Sequence, residues 1–171
     1  MPKRVRDVMK AEVVKISPEA TAPEIQREFL RARVGALPVV GSDGQLEGIV
    51  SRSDIVRQQS VEQSLAELAS SEIDADLSAP AGRLSLDSIG EAVGRRLARL
   101  RARDLMIREV VTISPDDSLA EAAHRMLDRR IHRLPVVEGD RLVGILSAFD
   151  FVTLYVEQIR EESVREEPVD A

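Results

Sequence analysis

The chain carries one string of residues twice. Arg6-Asp-Val-Met9 followed by Val13-Val-Lys-Ile-Ser-Pro18 returns as Arg103-Asp-Leu-Met106 followed by Val110-Val-Thr-Ile-Ser-Pro115. Asp7, Met9, Pro18 and Pro38 recur at one constant offset as Asp104, Met106, Pro115 and Pro135. After a hairpin turn one residue shorter in the second copy, Gly48 and Asp54 recur as Gly144 and Asp150. Repetition at a fixed period constrains the fold more tightly than composition does, because every copy must adopt the same supersecondary unit. Each copy is roughly 50 residues, too few to bury a comfortable core alone, so the two are expected to share one.

Local patterns are the same in both copies. Val13–Ile16 and Val110–Ile113 are short apolar runs ahead of a helix start. Thr21-x-x-Glu24 and Ser118-x-x-Glu121 read as capping boxes, with helices following to about Arg33 and Arg130. Ile25, Phe29 and Leu30, then Ala122, Ala123, Met126 and Leu127, fall at helical spacing and are the expected core face. Ala36–Val40 and Leu46–Val50 flank Gly41-Ser-Asp-Gly44, and Leu134–Val137 and Leu142–Leu146 flank Glu138-Gly-Asp-Arg141. Such β-branched runs around a Gly/Asp turn predict hairpins. Each hairpin ends in Gly-Ile-Val/Leu-Ser-x-x-Asp and leads into a further helix, so each copy is expected to be β-α-β-β-α, a mixed α/β (α+β) unit.

These patterns divide the chain into a first repeat (1–56), an insert (57–101), a second repeat with a C-terminal helix (102–160) and an acidic tail (161–171) expected to be disordered. The insert is expected to hold two amphipathic helices, one through Val61, Leu65 and Leu68 and one through Ile89, Val93, Leu97 and Leu100, around a loop at Ser70–Ser88. Phe151, Leu154, Tyr155 and Ile159 share one face of the final helix. The run Arg95–Arg103, with five arginines, reads as a solvated helix face, with a phosphate clamp or acidic docking site as the functional option.

Composition removes several function classes. A net charge of −6 and 2% aromatic residues argue against nucleic-acid binding, which needs basic surface and stacking platforms. The absence of cysteine excludes thiolate chemistry and sulfur-ligated zinc. His124 lacks a histidine or cysteine companion and is read as non-ligating, so no metal site is expected. No signal-like start and no apolar run of spanning length point to a cytoplasmic protein with no membrane role. No nucleophile–base pair, metal set or Walker-type phosphate loop is visible, so no enzyme is expected.

Arg-Asp-Val/Leu-Met, Ile-Ser-Pro, Leu-Pro-Val-Val and Gly-Ile-Val/Leu-Ser-x-x-Asp, twice and in order, resemble the CBS-domain family, named for cystathionine β-synthase. The resemblance covers about 100 of the 171 residues. It implies two β-α-β-β-α repeats packed through their sheets about a pseudo-twofold axis, a tandem often called a Bateman module. It also implies clefts that bind adenosine nucleotides such as AMP, ADP or ATP, and a flat homodimer. The expected function is regulatory and non-catalytic, with the nucleotide as ligand, no other cofactor, and signalling to a separate, unidentified effector protein. The alternative is a ligand-free dimerisation or interaction scaffold.

The resemblance also assigns roles. Asp54 and Asp150 would accept from ribose hydroxyls, and Ser51 and Ser147 would donate to phosphate. Taken alone, Ser-x-x-Asp is also an ordinary helix-start device. Gly48 and Gly144 leave room for a close backbone approach. Leu37-Pro38 and Leu134-Pro135 would present backbone and apolar groups to adenine, with Ile16 (in Val14–Ser17) and Thr112 and Ile113 (in Val111–Ser114) closing its other side. His132 and Arg133 would reach phosphates, where the first copy has Gly35 and Ala36. Phe149 would stack on a base or narrow the second cleft. The two clefts are therefore expected to differ.

Overall fold

The computed structural model describes residues 3–75, 94–96 and 98–166. A 3-10 turn at Val5–Asp7 precedes α1 (Ala22–Ala32), β1 (Ala36–Val40), β2 (Leu46–Ser51) and α2 (Arg52–Ala75). Then come α3 (Ala102–Leu105), α4 (Leu119–Arg129), β3 (Arg133–Glu138), β4 (Arg141–Ser147) and α5 (Ala148–Glu166). The chain divides into two compact units. One is Val14–Val110; the other joins Met1–Val13 to Val111–Ala171.

Each unit is built on an antiparallel hairpin. In the first, Leu37 faces Val50 and Pro38 faces Ile49; in the second, Leu134 faces Leu146 and Pro135 faces Ile145. Both hairpins carry a register shift at the matching place, Val39/Val40 and Val136/Val137. Gly44 and Gly139 turn the hairpins at positive φ (86° and 62°), a region that suits glycine. The runs Val13–Ile16 and Val110–Ile113 do not become ladders. Each joins the hairpin by one parallel bridge, Ile16 to Val39 and Ile113 to Val136. The two hydrogen bonds at each bridge (Ile16 N–H to Pro38 O, Val40 N–H to Ile16 O, and their repeats at Ile113) suit a chain that leaves at once towards its helix. The prolines supply carbonyls there and lack the N–H a central strand would need.

The first helix of each repeat starts where expected, but only α1 has a carboxylate returning to its cap. Glu24 Oε2 accepts from the Thr21 N–H (2.7 Å) and hydroxyl (2.8 Å). In the second copy Ser118 Oγ accepts from the Glu121 N–H, while the Glu121 carboxylate turns to Arg125 at 2.8 Å, so the box is half made. Both helices close on an arginine in the left-handed region, Arg33 and Arg130 (φ 52° each). Ile25, Phe29, Ala122 and Met126 are buried as expected. Leu30 and Leu127 are not, being 75% and 74% exposed. Their spacing was right for the helix, but the hairpin covers a narrower stripe than the pattern implied.

The apolar residues gather in two clusters, one per unit, where a single shared core was expected. Phe29, Leu37, Val39, Val50 and Ile55 form one with Ala102 and Leu105; Ile113, Met126, Leu134, Val136 and Leu146 form the other with Val5. Val5 precedes the first repeat's helix, yet it is buried in the second repeat's core. Ala102 and Leu105 make the reverse crossing. The repeats thus exchange their opening segments.

Matching contacts hold each exchanged segment. Lys10 pairs with Ile145 and Ile107 with Ile49, each through two backbone hydrogen bonds; Arg4 bridges to Ser118 and Arg101 to Thr21. Arg4 and Arg6 share Asp116, as Arg101 and Arg103 share Glu19. A Cβ on Gly48 would meet Met106 Sδ at 2.7 Å and Ile107 O at 2.9 Å; one on Gly144 would meet Met9 Sδ at 2.6 Å and Lys10 O at 3.2 Å. The close approach that these glycines permit is made by the chain itself.

The insert also departs from expectation. α2 continues from the first repeat to Ala75, so Ser70–Ala75 is helical where a loop was read. The remainder of that loop, and Ile89, Val93 and Leu97, lie outside the described residues. The arginine run is not one helix face. Gly94–Arg96 and Ala98–Arg99 are helical, whereas Arg101 and Arg103 belong to the exchanged segment. Arg96 reaches Glu62, buried on α2 and also hydrogen-bonded by Gln58. α5 runs to Glu166, past the expected start of the tail at Glu161; residues 167–171 lie outside the description. Among the described residues no helix is long and apolar enough to cross a membrane.

Candidate functional site

Each hairpin delivers its last strand residue, a serine, to the start of a helix whose first turn carries an aspartate. Asp54 Oδ2 accepts from the Ser51 N–H (2.8 Å) and hydroxyl (2.6 Å). Asp150 Oδ2 accepts from the Ser147 N–H (2.7 Å) and hydroxyl (2.6 Å). The carboxylates are 6% and 7% exposed, among the very few buried charged groups described. A buried carboxylate must have its charge answered by donors, and one oxygen of each is answered by its serine. The serine hydroxyl has one hydrogen, which it gives to the aspartate. At the first site Ser53 therefore donates to Ser51 Oγ (2.7 Å). As arranged here the serines can accept from a ligand but have no hydrogen left to donate to a phosphate.

The other carboxylate oxygen meets a cation in both units, and sequence reading missed both cations. Arg57 lies 3.3 Å from Asp54 Oδ1, one turn along α2. Lys10 Nζ lies 3.6 Å from Asp150 Oδ1 and comes from the exchanged segment. Lys10 could not have been found by spacing, because only the exchange brings it to the second hairpin. Arg57 was legible as an i,i+3 partner of Asp54.

The remaining candidates fall into two groups. Ile16, Leu37, Pro38, Ile113, Leu134 and Pro135 are buried, and the backbone between them is largely occupied by the Ile16 and Ile113 bridges. Thr112 is half-buried, and its carbonyl accepts from Arg125 at 2.7 Å. Arg133 is half-buried and directly opposite Ser147 across the hairpin. Opposed residues share a sheet face, so Arg133 stands beside the Ser147 end of the site. In the first unit Ala36 is opposite Ser51 and supplies no charge. His132 is exposed, and its carbonyl accepts from the Ala148 N–H, as Gly35 does from Arg52. Phe149 is 71% exposed and lies outside the core cluster of its unit.

Comparison with known proteins agrees with the repeat. The family model for the CBS domain matches residues 5–60 and again 102–157. A CBS domain-containing protein of Bacillus subtilis, YhcV, is 28% identical over 159 residues, covering 93% of this chain and 88% of that protein. The human 5'-AMP-activated protein kinase subunit gamma-3 is 32% identical over 148 residues, covering 85% of this chain but 24% of the subunit. Among solved structures, CBSX2 in complex with AMP superimposes with a TM-score of 0.66 at 21% identity, covering 92% of this chain and 98% of that one. With two family matches spanning most of the chain, each containing the same buried Ser-x-x-Asp arrangement, this protein belongs to the CBS-domain family as a tandem pair.

Proposed function

We propose that the chain is a non-catalytic regulatory module that binds an adenosine nucleotide and signals to a separate partner. One observation carries the reading. At equivalent places in both units a buried aspartate has one oxygen saturated by its own serine and the other turned towards an exposed cation. A carboxylate oxygen with spare lone pairs beside a helix start is suited to hydroxyl donors, and a vicinal sugar diol offers two. The names of the relatives support the ligand class: one is a subunit of an AMP-activated kinase, and one was solved with AMP. Arg133, opposite Ser147, is the residue expected to distinguish the second site by reaching a phosphate.

The module is read as a homodimer. Leu30 on α1 and Val56 on α2 are exposed, as are their repeat equivalents Leu127 on α4 and Val152 on α5. The same apolar pair left open on both units suits isologous association. Light scattering at micromolar concentration should report a dimer; a monomer throughout would reject it.

Calorimetric titration of the full chain with adenosine, AMP and ATP tests the function. Saturable binding is expected, with a rise in melting temperature that follows ligand concentration. No binding of any of the three, with the fold intact, would reject the reading in favour of a ligand-free scaffold.

A further inference from the structure

We propose that Lys10 and Arg57 read the phosphate of the nucleotide whose sugar is held by Asp150 and Asp54, an inference that rests on the nucleotide-binding reading above. The two cations stand in the same place but come from unrelated positions. Arg57 lies on the helix of its own aspartate, and its repeat equivalent is Thr153, which carries no charge. Lys10 lies on the exchanged segment, and its repeat equivalent is Ile107, which is apolar. The two copies differ at both positions, yet among the described residues each site has a cation beside Oδ1.

Charge neutralisation of a buried carboxylate explains part of this, but not why both cations keep their heads in water, where each pair is screened. Each aspartate already has one oxygen satisfied by two short hydrogen bonds. A cation placed to serve a ligand needs other properties, and both have them. The heads are exposed (side-chain exposure 67% for Lys10, 69% for Arg57), while their backbones are anchored. Lys10 is fixed by its paired hydrogen bonds to Ile145, and Arg57 by α2. The head can therefore leave the carboxylate without moving the chain. When sugar hydroxyls donate to Oδ1 they replace the cation as its partner, and the freed ammonium or guanidinium takes the phosphate. The exchange keeps every charge answered, and a nucleoside without phosphate leaves the displaced cation unpaired. Arg57 can meet phosphate as a planar fork and Lys10 as a point charge, so the first site has the more directional reader.

The test compares adenosine with AMP by calorimetry in the full chain, using wild type, Lys10→Met, Arg57→Met, the double variant, and Lys10→Arg. Wild type should prefer AMP. The double variant should lose about tenfold more affinity for AMP than for adenosine, each single variant should weaken that preference at one site, with Arg133 still present at the second, and Lys10→Arg should keep it. Rising salt should erode the AMP preference more in wild type than in the double variant, which keeps only Arg133. Equal proportional losses for both ligands, or an unchanged preference, would overturn this inference while leaving nucleotide binding intact. Wild type binding neither ligand would overturn both readings. Circular dichroism identifies any variant that fails to fold; Lys10→Gln and Arg57→Gln then supply the same comparison.

Discussion

Asp54 and Asp150 are the residues on which the site depends most, and the structure separates their two tasks. Oδ2 closes the helix start with serine, and Oδ1 faces outward to the cation. Asparagine keeps an oxygen for the serine but removes the charge. Asp150→Asn should weaken adenosine-nucleotide binding by about 1–3 kcal/mol, the range for hydrogen bonds to charged groups. Asp54→Asn should do the same at the other site, and titrations of the two variants should each lose one class of site. Glu24 offers a separate test at the same scale. The Thr21 N–H and hydroxyl, with smaller help from Arg27 and Arg101, hold its carboxyl below the ordinary glutamate value. A group lowered in the folded state stabilises fully above its unfolded pKa, and that stabilisation is lost as pH falls through the lowered folded value. Melting temperature against pH should therefore fall more steeply on the acid side in wild type than in Glu24→Gln. Identical acid limbs would mean that the cap holds no net charge preference.

At the scale of elements, the hairpins act as docking edges for the exchanged segments. Val50 and Leu146 point into the cores, while Gly48 and Gly144 receive a methionine and a backbone carbonyl from the arriving segment. Gly48→Ala would place a methyl 2.9 Å from Ile107 O, which is backbone and bonded to Ile49, as well as against Met106. Gly144→Ala would meet chiefly the flexible Met9 side chain, with Lys10 O at 3.2 Å. Overpacking of this kind costs about 1–3 kcal/mol, and Gly48→Ala should sit higher in that range than Gly144→Ala. Urea midpoints at constant slope measure the difference; equal midpoints for wild type and Gly48→Ala would show that the segment can yield. The conformations of Arg33 and Arg130, both left-handed at a helix end, complete the picture of two elements built to one plan.

For the whole molecule, the exchange decides what can fold alone. The first repeat as read in sequence, 1–56, lacks Ala102 and Leu105, which belong to its core, and carries Val5, which belongs to the other. Burying Leu105 or Val5 contributes about 1.5–3 kcal/mol, a large share of what a unit this small can spare. A fragment spanning 14–110 should melt cooperatively, whereas 1–60 should not; circular dichroism decides, and a cooperative transition in 1–60 would show that the exchanged segment is dispensable. The repeat, its hairpins, the helix starts at Thr21 and Ser118 and the two aspartates were legible in the sequence, because turn chemistry and periodicity act over a few residues. The exchange of opening segments was not legible, since Arg-Asp-Val-Met reads the same whichever hairpin it joins, and only the packing of Val5, Met9 and Lys10 selects the partner. The same reason hid Lys10 beside Asp150. Leu30 and Leu127 were misplaced because helical spacing marks an apolar stripe without saying how much of it a neighbour covers. Local chemistry thus determined the elements and the acidic half of the site, while burial over long sequence separations decided which copy completes which core and which cation faces each carboxylate.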